Sequence, residues 1–468
     1  MLSKKQVVQL FRKSRSRIRM TPDSSYQEAI DYLYGLQKHG IKLALSNSRT
    51  LMEVMGNPHK KFRSVHIAGT NGKGSTSAFL ASMLTAAGYR VGLYTSPHLV
   101  SFTERVKFDN VQISEQKVVE LAQRVREGSR GIPAAGVLEA LNPTFFEVTT
   151  AMAFSWFAEK SVDIAVVEVG MGGRLDSTNV ITPLVSVITN IDLEHTEFLG
   201  GTLELIAREK AGIVKPGVPV VTGAIQPSVV EVIEREAAAK HARVYRLTKD
   251  FMAQNIFHDR TQVFDYRDMQ ASYSKMCITM HGRYQVDNAC LAIAAAECMR
   301  SEGITIEESA MRRGLEQTRW EGRLERVAQK PDIFLDGAHN PASAKMLAGA
   351  VREMKSAYRR LILVVGILSD KDYRGIIAEL VPLAEHVIVT KPQYSRAMDV
   401  QALASEIREL HSAVITAETV GHAIAKAREI STDDDLILVT GSLYVVGDAR
   451  AVIVQDAGRS QALSGLKG

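Results

Sequence analysis

Short apolar runs that suit buried strands alternate along the chain with segments whose apolar positions recur every three or four residues, the spacing of amphipathic helices. The stretch from Ser64 to Ala87, SVHIAGTNGKGSTSAFLASMLTAA, shows the repeating unit most clearly as apolar strand, glycine-rich turn and helix. Further strands are expected at 90–94, 162–167, 184–189 and 218–222, with helices at 115–128, 145–160 and 203–214; two short helices at 26–54 precede them. The segment 243–280 alternates Thr, Tyr, Phe and Val with polar residues and reads as a small antiparallel meander at the sheet's edge. Helices follow at 286–300 and 306–317, then a linker at 318–325.

After the linker the alternation restarts, with strands at 332–335, 361–366, 386–390, 413–416 and 436–440 and helices near 341–355, 374–381, 399–410 and 420–430; the last ten residues read as a frayed tail. Strands and helices in strict alternation make parallel sheets covered on both faces. The expected fold is therefore α/β, a P-loop-containing doubly wound mostly parallel sheet domain (1–322) and a smaller Rossmann-like α/β domain (323–468), with ligands between them at the strands' carboxyl ends.

Composition narrows this little: 46% hydrophobic and 23% charged residues over 468 positions are ordinary for a soluble protein, and no apolar run is long enough to span a bilayer. The net charge of +5 owes much to Lys4, Lys5, Arg12, Lys13, Arg15, Arg17 and Arg19, a segment read as a solvated leading helix rather than a transit peptide. Without it little basic character remains, so no nucleic-acid footprint is expected, and a cytoplasmic location is. Cys277, Cys290 and Cys298 lack the spacing of a zinc site or disulfide framework.

Chemistry concentrates at the predicted strand ends. In GTNGKGST, Gly69, Gly72 and Gly74 let backbone N–H groups converge on a point that the next helix addresses with its positive end, a setting for phosphate. Lys73 would reach the β and γ phosphates and Ser75 or Thr76 would meet Mg²⁺, although Gly74 stands where a P-loop usually has its hydroxyl. Glu168, closing a buried strand, is placed like the acid that holds Mg²⁺ in phosphate-cleaving folds, and His195 lies just past the next strand. Lys210, next to Glu209, reads on spacing alone as a surface salt bridge; a buried amine of lowered pKa is the functional alternative. Asp336 and His339 sit at a strand end of the second domain, suited to ribose and γ-phosphate contacts.

Together HIAGTNGKGST, YTSPHL, TFFEVTTAMAF, VVEVGMGGRLDSTN, IAREKAGIVKPG and DGAHNP resemble folylpolyglutamate synthase and dihydrofolate synthase, in the family that includes the Mur peptidoglycan ligases. The preceding run KHGIKLALSNSRTLMEVMGNP is similar to the folate branch. The resemblance implies that Asn71, Gly72, Lys73 and Gly74, with Ser75, wrap the ATP phosphates, and that Ser96, Glu168 and His195 hold two Mg²⁺ ions. It further implies a Lys210 carboxylated by CO₂, an adenine contact at Asn288, nucleotide contacts at Arg323 and Asp336, and His339 near the γ-phosphate. Thr144, Phe145, Phe146 and Glu147, with Arg174, Leu175 and Asp176, would wall the pterin site. One departure is visible, Glu194 where the family usually has Asp before the metal histidine.

The implied activity is ATP-dependent ligation of L-glutamate to dihydropteroate and to reduced folates, through an acyl phosphate, by a monomer without nucleic-acid or membrane partners. Lys73, Lys210 and His339 would carry catalysis, and the glycines at 170–173 and near 322 would allow the domains to move. A folylpolyglutamate synthase without the first activity, a Mur-type cell-wall ligase and a nucleotide-regulated binding protein are the alternatives, in that order.

Overall fold

Eight strands build the larger sheet of the computed structural model, which describes residues 22–40, 44–130, 142–258, 261–268 and 271–464. They are β1 (Arg63–Ala68), β2 (Val91–Tyr94), β3 (Val106–Phe108), β4 (Val111–Gln112), β5 (Ile164–Glu168), β6 (Val185–Ile188), β7 (Val220–Thr222) and β8 (Val244–Arg246). The spatial order is β4-β3-β2-β5-β1-β6-β7-β8, parallel except for the β3–β4 edge. Strand β1 lies between β5 and β6, pairing Ile67 with Glu168 on one side and Ala68 with Ile188 on the other. Every residue of β5 and β6 is buried, because helices cover both faces, which explains their unbroken apolar runs.

The meander is real but its place differs from expectation. Val244–Arg246 continues the parallel register of β7 and so belongs to the large sheet. Strands β9 (Phe251–His258), β10 (Gln262–Asp268) and β11 (Ser272–Ile278) form a separate antiparallel sheet. Phe264, Tyr266, Met276 and Ile278 turn from it into the core shared with the helix Arg283–Met299.

A six-stranded sheet makes the second unit, ordered β12 (Glu325–Ala328), β13 (Asp332–Leu335), β17 (Leu436–Thr440), β14 (Leu361–Val365), β15 (His386–Val389) and β16 (Val414–Thr416). All but β12 run parallel, and the five expected strands are present. Elements that escaped the sequence reading include β3, β4, β12, the short helix Thr196–Leu199, the helix Pro227–Ala238, and the helix Leu443–Ser464, which runs into the segment expected to fray. The basic amino-terminal segment lies outside the described residues. Leu99, from the loop after β2, packs into the second unit's core and joins the two bodies. No helix among the described residues is long and apolar enough to cross a membrane, and all three cysteines are free.

Candidate active site

The phosphate loop leaves β1 and is tied down by the end of β6. Asn190 Oδ1 accepts from Asn71 N at 2.7 Å, and Thr189 Oγ1 donates to Asn71 O at 2.6 Å. Positive φ at Gly69 and Gly72 goes with crowding: a Cβ on Gly69 would fall 1.9 Å from Thr189 Oγ1, and one on Gly72 2.3 Å from Asn288 Oδ1. Lys73 opens the helix Lys73–Ala86, its ammonium donating to Gly69 O at 3.0 Å and Thr70 O at 2.8 Å. Of the two hydroxyls considered for Mg²⁺, Ser75 lines the cleft, whereas Thr76 is wholly buried behind it. The glycine at 74 also has a reason: a Cβ there would come 2.9 Å from Nε1 of Trp320 in the linker.

A cleft of about 540 Å³ opens over this loop, lined from the first domain by Lys73, Ser96, Glu168, His195 and Asn288 and from the second by Arg323, Asp336 and His339. Glu168 is buried and accepts from Ser96 N at 3.0 Å; burial pushes its carboxyl up, against the pull of the Lys73 charge. Burial likewise lowers His195 to about 4, with Glu194 opposing, so the imidazole is neutral as a metal ligand must be. No three acidic, histidine or cysteine side chains form a metal cage among the described residues. The Glu168 carboxylate and the Ser96 hydroxyl are the oxygen donors that fit Mg²⁺, which completes its shell beside nucleotides with phosphate oxygens and water.

Lys210 corrects the spacing-based reading. It is 2% exposed, its amine donates to Gly69 O at 2.6 Å, and burial, followed by the Lys73 charge, brings it down to about 7. The surface salt bridge belongs to its neighbour Glu209, which holds Arg174 at 2.8 Å.

Asp336 contributes through the backbone. Its oxygens accept from Leu324 N at 2.8 Å and Ala338 N at 2.9 Å, joining the end of the linker to the turn after β13. Asp176 behaves alike: its carboxylate accepts from the N–H groups of Gly170, Met171 and Thr178, each at 3.0 Å, and from the Thr178 hydroxyl. Its oxygens therefore shape the glycine loop and present no free carboxylate to the expected pterin wall. Leu175 is half-buried beside it.

Thr144 caps the helix Phe145–Glu159, with Glu147 Oε2 accepting from Thr144 N at 2.7 Å; Glu147 Oε1 is buried without a hydrogen-bond partner among the described residues. Phe146 packs under the glycine loop against Tyr94, with ring centroids 5.9 Å apart. Phe145 instead stacks on Tyr34 at 5.7 Å, with the Arg105 guanidinium 5.2 Å over its ring. Arg105 Nε donates to His98 Nδ1 at 2.7 Å, so the ring proton sits on Nε2, which donates to the Tyr34 oxygen at 3.0 Å. Tyr34, His98 and Arg105 were missed by the sequence reading; the only local signal was His98, two residues past Ser96 in the irregular loop.

Two family models match the chain, the Mur ligase middle domain over residues 67–296 and the Mur ligase, glutamate ligase domain over residues 322–443. The chain belongs to the Mur ligase family and is an ATP-dependent amide ligase. Within that family it falls in the dihydrofolate synthase and folylpolyglutamate synthase group. It is 38% identical over 435 residues to the Bacillus subtilis dihydrofolate synthase/folylpolyglutamate synthase, covering 91% of this chain and 99% of that protein. The Mycobacterium tuberculosis folylpolyglutamate synthase complexed with ADP superposes with a TM-score of 0.85 at 35% identity, covering 92% of this chain and 99% of that one. For E. coli FolC in complex with DHPP and ADP the TM-score is 0.83 at 30% identity, with 94% and 100% covered.

Two expectations follow. Between about 7 and the ordinary lysine value of 10.5, the unfolded chain holds a proton at position 210 that the folded protein has given up. Stability from this group therefore rises with pH across that window. In chemical denaturation the wild type should gain on Lys210→Met as pH increases from 7 to 9; a constant difference would contradict the lowered amine. Second, Gly74→Ser should weaken ADP binding in calorimetry, and most of that loss should vanish in a Trp320→Ala background. Equal losses in both backgrounds would show that the indole is not the obstacle.

Proposed function

We propose that the protein joins L-glutamate to dihydropteroate and to the γ-carboxylate of reduced folates, using ATP and an acyl phosphate, in the cytoplasm. The observation that carries this reading is the convergence of the P-loop, Glu168 and His339 on one cleft, with Lys210 bonded to Gly69 at the start of the loop and the Tyr34–Phe145 aromatic stack tied through His98 to the segment that bears Ser96. In this reading the exposed Tyr34 ring gives a pteridine or benzoyl ring a flat apolar face, backed by Phe145, Arg105 and His98. Glu147 Oε1 offers an unused acceptor at the start of the same helix as Phe145.

A carboxylate is a poor acyl donor because its charge repels an amine and oxide is a poor leaving group. Phosphorylation removes both obstacles. In this scheme the N–H groups from Gly72 to Ser75 hold the phosphates, Lys73 exchanges a loop carbonyl for a phosphate oxygen, and the acceptor carboxylate attacks the γ-phosphorus in line, expelling ADP. Glu168, Ser96 and His195 would hold Mg²⁺ at two sites, and the metal supplies neutralisation of phosphate charge. The glutamate amine then attacks the acyl phosphate, and phosphate leaves.

In this reading Asn288, packed on Gly72, contacts the adenine, and Arg323 and His339, which line the cleft from the second domain (323–468), meet the phosphates. An amine lowered to about 7 has a neutral fraction able to add CO₂. Lys210 as a carbamate would replace a buried cation by an anion able to help a metal. Its hydrogen bond to Gly69 O would make that change felt in the phosphate loop.

Purified protein with Mg²⁺ and ATP should release phosphate only when glutamate and an acceptor are both present, and should do so with dihydropteroate and with tetrahydrofolate. Release with tetrahydrofolate alone would reduce the assignment to folylpolyglutamate synthesis, and release with neither would overturn it. Glu168→Gln and Lys210→Ala should each lower the rate by about a hundredfold or more with unchanged circular dichroism; retained activity removes that residue from the mechanism.

A further inference from the structure

One buried charge in the cleft has no duty in this scheme. The Glu194 side chain is only 8% exposed, and its Oε1 lies 3.2 Å from His339 Nε2 and 3.3 Å from Asn340 Nδ2. Glu194 follows β6, whereas both partners stand in the turn between β13 and the helix Pro341–Lys355 of the second domain. Asn340 in turn exchanges amide hydrogen bonds with Asn71 of the phosphate loop, at 3.1 and 3.4 Å. One carboxylate and one amide pair thus draw the second domain onto the P-loop.

The carboxylate presents an oxyanion to the donors that a phosphoryl oxygen would use. His339 Nδ1 is engaged with Gly337 O at 2.8 Å, so Nε2 is the nitrogen left for a ligand, and Glu194 holds it. Lys73 and His195 line the same cleft as this pair.

We propose that Glu194 is an internal stand-in for the terminal phosphoryl group, a positioning residue that holds His339 and Asn340 in register with the P-loop in the empty enzyme. The inference rests on the reading of the cleft as an ATP site: the arriving phosphate takes over these donors and Glu194 gives them up. Side-chain length is part of the device. An aspartate would fall about 1.5 Å short, one carbon–carbon bond, and would leave both contacts beyond hydrogen-bond range.

Amide hydrogen exchange on the full-length protein tests this. Without nucleotide, Glu194→Ala and Glu194→Asp should exchange about tenfold faster than wild type across 336–343 and 70–73. Glu194→Gln, whose amide oxygen still accepts, should stay near wild type. Saturating AMPPCP should bring all four proteins to the same protection. Wild-type exchange in Glu194→Ala without nucleotide overturns the proposal, and so does a difference that persists under saturation. Exchange over 164–168 and 203–211 reports on the fold; should Glu194→Ala lose protection there, the comparison of Asp with Gln decides, equal protection in the two overturning the proposal. Failure of the wild type to bind AMPPCP in calorimetry would count against the ATP site itself, while the nucleotide-free comparison would still decide whether Glu194 clasps the domains.

Discussion

The hydrogen bond from the Lys210 amine to the Gly69 carbonyl joins two elements that the rest of the site is built around. It anchors a helix that follows β6 to the first residue of the phosphate loop that follows β1, and it places an ionisable amine where water cannot solvate it. Such a contact is possible because β1 lies between β5 and β6 in a parallel sheet, so that three consecutive strands deliver their carboxyl ends to one place. Glu168 arrives from one neighbour and Thr189 and Asn190 from the other, and the loop between them has little freedom left.

The second domain completes the site instead of duplicating it. It brings no glycine-rich phosphate loop of its own, and its strand ends supply Asp336, His339 and Asn340, which face the P-loop across the cleft. Asp336 spends its carboxylate on the backbone of the linker's end and of its own turn. A reaction that passes through a hydrolysable acyl phosphate needs this division of labour, because a two-sided cleft can exclude water after both substrates have entered.

The alternation of strands and helices was legible because strands buried on both faces read as unbroken apolar runs, as in β5 and β6. The meander's strands were legible too, from the alternation that places Phe264 and Tyr266 inward, but its attachment was not: Val244–Arg246 is too short for sequence to distinguish parallel from antiparallel pairing. At the site, motif spacing marked Lys73, Glu168 and His339, and these line one cleft. Spacing misjudged Lys210, because the burial of a helical lysine depends on what packs over it. Asp176 shows the converse: a motif position marks it, yet only three-dimensional structure reveals that its oxygens are spent within its own loop. Tyr34 was hidden because it meets the loop that carries His98 and Arg105 only after folding, and those two because their irregular loop has no periodicity to read.

Positional isotope transfer addresses the chemistry of the cleft most directly. With ¹⁸O in the carboxylate of dihydropteroate, an acyl phosphate requires one labelled oxygen to leave with each phosphate released during amide formation. Labelled phosphate in step with product is the expected result. Phosphate without label, formed at the same rate as the amide, would contradict activation of the acceptor by ATP in this site.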